Sequence, residues 1–174
     1  MTKYLRLLAA LTLAATLLAC SDETEQTSEN SPASPAVASA DGGSVSFTSL
    51  NSAGLDELLA AHAGKPAVAF FWTTWCPSCK DQLPDMEALF RSHGDKMQVL
   101  SISLDERKDA LETFFQKNSL DMPVHHGDMD LARRLNISSI PTVVIFDKAG
   151  EQVFARSGVF PHSMLEAMAD KVLQ

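Results

Sequence analysis

The hydrophobic residues of this chain form short, nearly continuous runs that are separated by longer amphipathic segments. Runs of this length predict strands that are buried on both faces of a sheet. The predicted strands are the runs 67–72, 97–104 and 142–146, a short alternating segment at 45–50, and 151–156. Because a turn-forming sequence separates the strands 142–146 and 151–156, we expect these two to form an antiparallel hairpin.

Apolar residues recur every three or four positions between the strands, which is typical of helices with one buried face. The clearest case places Cys79, Leu83, Met86 and Leu89 on a common face. The predicted helices are 54–62, one that begins beside Cys76, 105–118, 129–135 and 161–173. Strands that alternate with helices pair in parallel through crossover connections. The pattern therefore predicts an α/β domain of three layers, with a central sheet flanked by helices.

The first residues of the chain are typical of an export signal. Two basic residues precede an apolar run at 7–19, which is too short for a membrane-spanning helix. The run ends in Leu17–Cys20, which resembles a bacterial lipobox. The resemblance implies that residues 1–19 are removed as a lipoprotein signal peptide and that Cys20 is lipidated. An ordinary cleavable signal followed by an incidental cysteine is the alternative.

Composition predicts the domain organisation and argues against one class of partner. Residues 20–44 contain a single large apolar side chain, Val37, so this segment cannot bury enough surface to fold and is expected to be a disordered linker. The folded domain is therefore expected over 45–174. The chain has 14 basic and 22 acidic residues, a formal net charge of -8, which argues against a nucleic-acid partner.

Two cysteines, Cys76 and Cys79, stand two residues apart where a predicted strand passes into a predicted helix. A structural disulfide would close a very small loop and add little stability, so redox chemistry or metal binding explains the pair better. In the redox interpretation Cys76 is the nucleophile, because a helix N-terminus favours a thiolate. Cys79 would be the resolving thiol. A reduced, inert pair and a metal site are the alternatives, although zinc would need a second pair of ligands.

The residues around this pair resemble the thioredoxin superfamily. The resemblance rests on the run Trp75–Lys80, on Pro84 within the following helix, and on the Ile-Pro-Thr sequence at 140–142. It is strongest for the membrane-tethered extracytoplasmic thioredoxins of the TlpA, ResA and CcmG type, and it extends over 45–174.

This resemblance implies a fold and a site. The fold is the thioredoxin fold, in which helices flank a central mixed sheet. In the site, Cys76 and Cys79 would be the redox-active centre, and the peptide bond before Pro141 would be cis. The backbone of Ile140 would pair with an incoming polypeptide, close to an exposed Trp75. The resemblance implies no cofactor and no resident metal.

The chain departs from the family pattern at several positions. Thioredoxins carry a buried acidic residue six positions before the first cysteine, where this chain has Phe70. ResA-like proteins can carry glutamate between the cysteines, where this chain has Pro77 and Ser78. The proton acceptor for Cys79 is therefore unassigned. The sequence at 139–142 also lacks the Gly-x-Pro-Glu-Thr pattern of CcmG, which weakens an assignment to cytochrome c maturation.

The segment 122–129 suggests a metal site outside the cysteine pair, since it contains His125, His126 and Met129. Adjacent side chains on a strand point to opposite faces, so two neighbouring histidines seldom bind one ion. We interpret the segment as a solvated loop. A copper-handling protein that combines the two cysteines with His125 or Met129 is the alternative.

The leading hypothesis is a lipid-anchored thiol-disulfide oxidoreductase on the periplasmic side of the cell envelope, which reduces protein disulfides through a mixed disulfide. The resemblance implies a membrane electron donor of the DsbD or CcdA type, and Cys20 would attach the chain to the lipid membrane. A Cu(I) metallochaperone and a thiol peroxidase are the alternative hypotheses.

Overall fold

A six-stranded mixed sheet forms the centre of the fold in the computed structural model, which describes residues 47–174. The strands are β1 (Thr48–Leu50), β2 (Ala67–Trp72), β3 (Gln98–Ser103), β4 (Val124–Gly127), β5 (Thr142–Phe146) and β6 (Gln152–Ser157). Their order across the sheet is β1-β4-β3-β2-β5-β6. The first four strands in this order are parallel, whereas β5 and β6 run antiparallel to their neighbours. The predictions for 1–19, for 20–44 and for lipidation of Cys20 lie outside the described residues.

Helices cover both faces of the sheet. They are α1 (Ser52–Ala61), α2 (Pro77–His93), α3 (Lys108–Phe115), α4 (Met129–Arg134) and α5 (His162–Leu173). One core contains apolar side chains of α2, α3 and α5, and a second core contains those of α1 and α4. The predicted three-layer α/β architecture with a mixed sheet is therefore confirmed. Within the described part of the chain, no helix combines the length and the apolar character needed to cross a membrane.

Strand β2 is the central strand, and every one of its residues is buried. Phe70 and Trp72 point into the core that contains α2, whereas Phe71 points into the core that contains α1. The indole N–H of Trp72 donates a hydrogen bond of 2.7 Å to the hydroxyl of Ser101 on β3. A strand held on both faces in this way fixes the position at which the chain leaves the sheet towards α2.

The structure differs from the sequence-based prediction at the segment 122–129. The prediction of a solvated loop was wrong, because residues 124–127 form β4 and pair with both β1 and β3. Gly127 allows this strand to lie close to β3, since a Cβ atom there would approach the Ile102 side chain to 2.7 Å. Backbone pairing with two neighbours stabilises this strand, which consists of a valine, two histidines and a glycine.

The start of α3 also differs from the prediction. The helix begins at Lys108, whereas the sequence pattern predicted a start at Asp105. Aspartate is a residue type that often caps helices, but the carboxylate of Asp105 instead accepts hydrogen bonds from Thr74 in the β2–α2 connection. Asp105 consequently lies at the end of the sheet where the chain leaves β2 and enters α2.

Candidate redox site

Cys76 caps the N-terminus of α2, and its sulfur forms a disulfide with Cys79. The Cα atoms of the two cysteines are 5.2 Å apart. The backbone N–H of Cys79 donates to the Sγ of Cys76 at 3.2 Å. Pro77 occupies the first helical turn, where the missing N–H leaves no hydrogen bond unmade. The Sγ of Cys76 therefore lies where helix N–H groups and the helix dipole stabilise negative charge.

The two sulfurs have different surroundings. Cys76 is 5% exposed, while Cys79 is fully buried in the core. The hydroxyl of Ser78 lies 3.5 Å from the Sγ of Cys76. Trp75, the residue before the pair, is 69% exposed. The pair thus has an outer sulfur beside an exposed aromatic ring and an inner sulfur enclosed by apolar side chains.

The segment before β5 lies against the same core. The peptide bond between Ile140 and Pro141 is cis, as the family resemblance implies. The carbonyl of Pro141 accepts a hydrogen bond of 2.9 Å from the N–H of Gly158, and the hydroxyl of Thr142 donates to the carbonyl of Ser139 at 2.6 Å. Ile140 packs against the core that contains both cysteines.

A cleft of about 630 Å³ opens beside Trp75, the residue before Cys76. Trp75 and Ile140 both line it, so the structure brings these two predicted substrate-binding residues together. Met129, which is also exposed, and Ile137 extend its apolar wall, and Asp105 is among the lining residues. A cleft with an apolar wall can hold a side chain that flanks a target disulfide.

Asp105 is a site residue that the sequence pattern did not predict. This residue is only 3% exposed, and its two carboxylate oxygens accept hydrogen bonds from the N–H and the hydroxyl of Thr74 at 2.9 and 2.7 Å. The available signal was its position directly after a buried strand. Ligands and catalytic groups gather at the carboxyl ends of parallel strands, so a polar residue there could have been singled out.

The position before the disulfide at which thioredoxins carry an acid is apolar here, as the sequence indicates. Phe70 is completely buried and packs in the same core as Cys79. Among residues 47–174, Asp105 is the only buried carboxylate. The side chain of Phe70 has no atom that accepts a proton, so the proton of Cys79 must pass to another group.

The two histidines of β4 do not join the cysteines in one site. His125 pairs in register with Ile102, which faces the core of α1, whereas the cysteines lie in the core of α2. Burial lowers the pKa of His125 below its usual value. His126 points to the other face, where its Nε2–H donates to the backbone carbonyl of Asp105 at 2.6 Å. This register does not support a copper site that combines His125 with the two cysteines.

Comparison with known proteins places the chain in a family. Residues 64–152 match the family model described as thioredoxin-like, so the chain belongs to the thioredoxin-like family. It is 27% identical over 101 residues to sporulation thiol-disulfide oxidoreductase A of Bacillus subtilis (strain 168), a match that covers 55% of this chain and 61% of that protein. It is 28% identical over 100 residues to the thiol-disulfide oxidoreductase ResA of Geobacillus kaustophilus (strain HTA426), covering 56% of this chain and 58% of ResA.

A solved structure confirms the fold. The exposed lipoprotein thioredoxin Etrx1 of Streptococcus pneumoniae strain TIGR4 superposes with a TM-score of 0.60 and 23% identity, over 65% of this chain and 89% of that one. The predicted relationship to ResA-type proteins is thereby confirmed at the level of family and fold. The chain spans about three fifths of the length of the two curated relatives described above.

Proposed function

We propose that this chain is an extracytoplasmic, lipid-anchored thiol-disulfide oxidoreductase that reduces protein disulfides. The observation that carries the proposal is the position of Cys76, whose sulfur caps a helix and lies within bonding distance of a buried second sulfur. The names of two relatives, both thiol-disulfide oxidoreductases, support the same activity.

The first step uses the reduced form of the pair. The thiolate of Cys76 attacks one sulfur of a client disulfide, which forms a mixed disulfide and releases the other client sulfur as a thiolate. The N–H of Cys79 donates to the Sγ of Cys76, and this hydrogen bond stabilises negative charge on that sulfur. Attack is therefore favoured at the outer sulfur.

The second step releases the client. Cys79 loses its proton and attacks the Sγ of Cys76, which forms the Cys76–Cys79 disulfide and expels the second client sulfur as a thiolate. Two electrons pass from the cysteine pair to the client disulfide. The disulfide between Cys76 and Cys79 in the structure corresponds to the product of this step. The thiolate released in the first step is a base that can accept the proton of Cys79.

The client would bind beside the cysteine pair in extended conformation. Ile140 precedes β5 and takes part in neither strand pairing of β5, so its backbone is available to pair with a client segment. The exposed ring of Trp75 offers an apolar surface in the cleft that Ile140 also lines. These two contacts would align the client disulfide with the Sγ of Cys76.

Location and recharging complete the proposal. The sequence of residues 17–20 supports lipid attachment at Cys20 on the periplasmic side of the envelope. A reductant of this kind must be reduced again after each cycle, and a membrane electron donor of the DsbD or CcdA type would do so. Labelling with radioactive palmitate tests the anchor: wild type should incorporate label, and Cys20→Ala should not. Equal labelling of both would contradict lipidation at Cys20.

The activity is tested with the full chain carrying Cys20→Ser, which leaves Cys76 and Cys79 as its two cysteines. This protein should accelerate the reduction of insulin by dithiothreitol, and either Cys76→Ser or Cys79→Ser should abolish the acceleration. No acceleration by the two-cysteine protein would overturn the proposal. A reduction potential of about -120 mV would contradict the proposal that the protein reduces client disulfides, because proteins at that potential act as oxidants.

The same protein distinguishes the two alternative functions. A Cu(I) chaperone would retain copper tightly when reduced, and that retention would be lost on His125→Ala or Met129→Ala. A thiol peroxidase would turn over hydrogen peroxide faster than it reduces insulin. The proposed function predicts efficient insulin reduction, negligible peroxide turnover, and copper retention that neither substitution changes.

A further inference from the structure

Asp105 has surroundings that differ from those of the other carboxylates. It lies two residues beyond the end of β3, and it is the single carboxylate that is buried in the part of the chain that the structure describes. A buried carboxylate is destabilising unless it is paired or fully hydrogen-bonded, so its presence at such a position calls for a physical reason.

The hydrogen bonds of Asp105 supply that reason. Oδ2 accepts from the backbone N–H of Thr74 at 2.9 Å and from the hydroxyl of Ser103 at 2.7 Å. Oδ1 accepts from the hydroxyl of Thr74 at 2.7 Å. All three donors are neutral, and two of them belong to Thr74. Hydrogen bonds to an ionised acceptor are about twice as strong as neutral ones, so Thr74 is held firmly.

Asp105 is itself held in place by hydrogen bonds to residues of the sheet. Its backbone N–H donates to the hydroxyl of Ser103 at 3.1 Å, and its carbonyl accepts from the Nε2–H of His126 on β4 at 2.6 Å. The N–H of Leu104 donates to the carbonyl of Trp72 at 2.7 Å, which holds the end of β3 against the end of β2. The carboxylate is thus an immobile group to which the β2–α2 connection is attached.

The attachment lies two residues from the reactive sulfur. The N–H of Cys76 donates to the carbonyl of Thr73 at 3.3 Å, which closes a turn that contains Thr74 and Trp75. The side chain of Trp75 is mostly exposed and gains little support from packing. A shift at Thr74 would therefore move both Trp75 and Cys76 relative to the cleft.

We propose that Asp105 is a positioning residue for the redox reaction: through Thr74 it sets where Trp75 and the Sγ of Cys76 stand relative to a bound client. The inference deepens the proposed function and rests on it. Asp105 acts through another residue and does not itself touch the reacting sulfurs. Its carboxylate orders the turn before catalysis begins, so the reaction does not have to supply that ordering.

Four variants test this proposal in the full chain with Cys20→Ser. Asp105→Asn keeps the size of the side chain but replaces an accepting oxygen by an NH₂ group, which cannot accept from the donors around it. Thr74→Val removes the hydroxyl and keeps the backbone N–H. Thr74→Ser retains the hydroxyl. Glu57→Gln neutralises an exposed carboxylate on α1, away from the cleft, and controls for charge.

The expected result is a loss of kcat for insulin reduction of about 10- to 100-fold in Asp105→Asn and Thr74→Val, because small displacements of reacting groups have effects of this size. Thr74→Ser and Glu57→Gln should remain close to wild type. The double variant Asp105→Asn/Thr74→Val should have the same kcat as the more impaired of the two single variants, because both changes break the same connection. Unchanged kcat in both single variants, or losses that multiply in the double variant, would overturn the proposal.

A second readout separates this inference from the proposed function. The rate at which iodoacetamide alkylates Cys76, measured against pH in a Cys79→Ser background, reports the position and pKa of the thiol without any client. Asp105→Asn and Thr74→Val should change this profile alike, and Glu57→Gln should not. If wild type fails to reduce insulin, the proposed function fails, and the alkylation profile still decides the positioning role. If Asp105→Asn does not fold, Thr74→Val decides it.

Discussion

The side-chain amide of Gln82 makes two hydrogen bonds with the backbone of a single residue, Phe160. Its Nε2–H donates to the carbonyl of Phe160 at 2.8 Å, and the N–H of Phe160 donates to its Oε1 at 2.5 Å. Gln82 is fully buried on α2, three residues after Cys79. The helix that carries both cysteines is therefore fastened to the segment that follows β6.

Replacing Gln82 by leucine should destabilise the protein strongly. Leucine fills much of the same volume but leaves the buried N–H and carbonyl of Phe160 unpaired, and each such group costs about 1–3 kcal/mol. Urea unfolding followed by circular dichroism measures the loss. Asp81→Asn changes the exposed neighbour and should have little effect. A Gln82→Leu protein as stable as wild type would show that water or a shifted backbone replaces both bonds.

The change from glycine to alanine should have opposite effects on the free energy of unfolding at two positions. At Gly127 a new Cβ would lie 2.7 Å from the Cγ2 of Ile102, so Gly127→Ala should lower the free energy of unfolding by about 1–3 kcal/mol. At Gly54, within α1, the nearest atoms are 3.4 Å away, so Gly54→Ala should raise it by about 0.5–1 kcal/mol. Thermal unfolding of both variants checks the difference in sign. Destabilisation of equal size at both sites would contradict it.

His125 should make stability depend on pH. Burial lowers its pKa in the folded protein, so the unfolded chain takes up a proton first as the pH falls below the usual value of about 6.5. Protonation of the unfolded chain favours unfolding, and stability should therefore fall from that pH down to the lowered pKa and change no further through this group below it. Above about 6.5 the imidazole is neutral in both states and contributes no slope.

Chemical denaturation at a series of pH values measures this effect. In His125→Gln the corresponding part of the slope should disappear, whereas a matched His62→Gln variant should retain it. Wild type and His125→Gln with parallel stability curves across this pH range would show that the imidazole is solvated in the folded protein.

Trp72 and Ser101 should be coupled in stability. The hydroxyl of Ser101 accepts from the buried indole N–H, so Ser101→Ala leaves that N–H unpaired and should cost about 1–3 kcal/mol. In a Trp72→Phe background there is no N–H to satisfy, and Ser101→Ala should cost clearly less. A double-mutant cycle in urea gives the coupling energy. Equal costs in both backgrounds would show that the hydrogen bond contributes nothing to stability.

Much of the fold follows from local sequence pattern. The continuous apolar run of β2, the helical spacing that begins at Cys79, and β5 at 142–146 lie where the pattern predicts them. In these segments the side chains themselves carry the information, because burial on one or both faces dictates which residue types occur. The cysteine pair was recognised from its spacing and its position at a predicted helix start, whereas the cis Ile140–Pro141 bond was expected only from the resemblance to a family.

The features that were missed depend on contacts between distant parts of the chain. His125, His126 and Gly127 are poor indicators of a strand, and β4 forms because β1 and β3 provide backbone partners on both sides. The acidic side chain of Asp105 is typical of a helix start, but the fold brings Thr74 within hydrogen-bond distance, 31 positions earlier in the chain. No local pattern contains such pairings.

The central claim is that Cys76 is the nucleophile and Cys79 the resolving thiol, and a single measurement tests it. Reduced Cys79→Ser and Cys76→Ser proteins, both with Cys20→Ser, are exposed to oxidised glutathione and followed by intact-protein mass spectrometry. Cys79 is fully buried and Cys76 is not, so Cys79→Ser should rapidly acquire one glutathionyl group that stays bound. Cys76→Ser should react far more slowly. Equal rates of glutathionylation, or faster reaction of Cys76→Ser, would contradict the assignment.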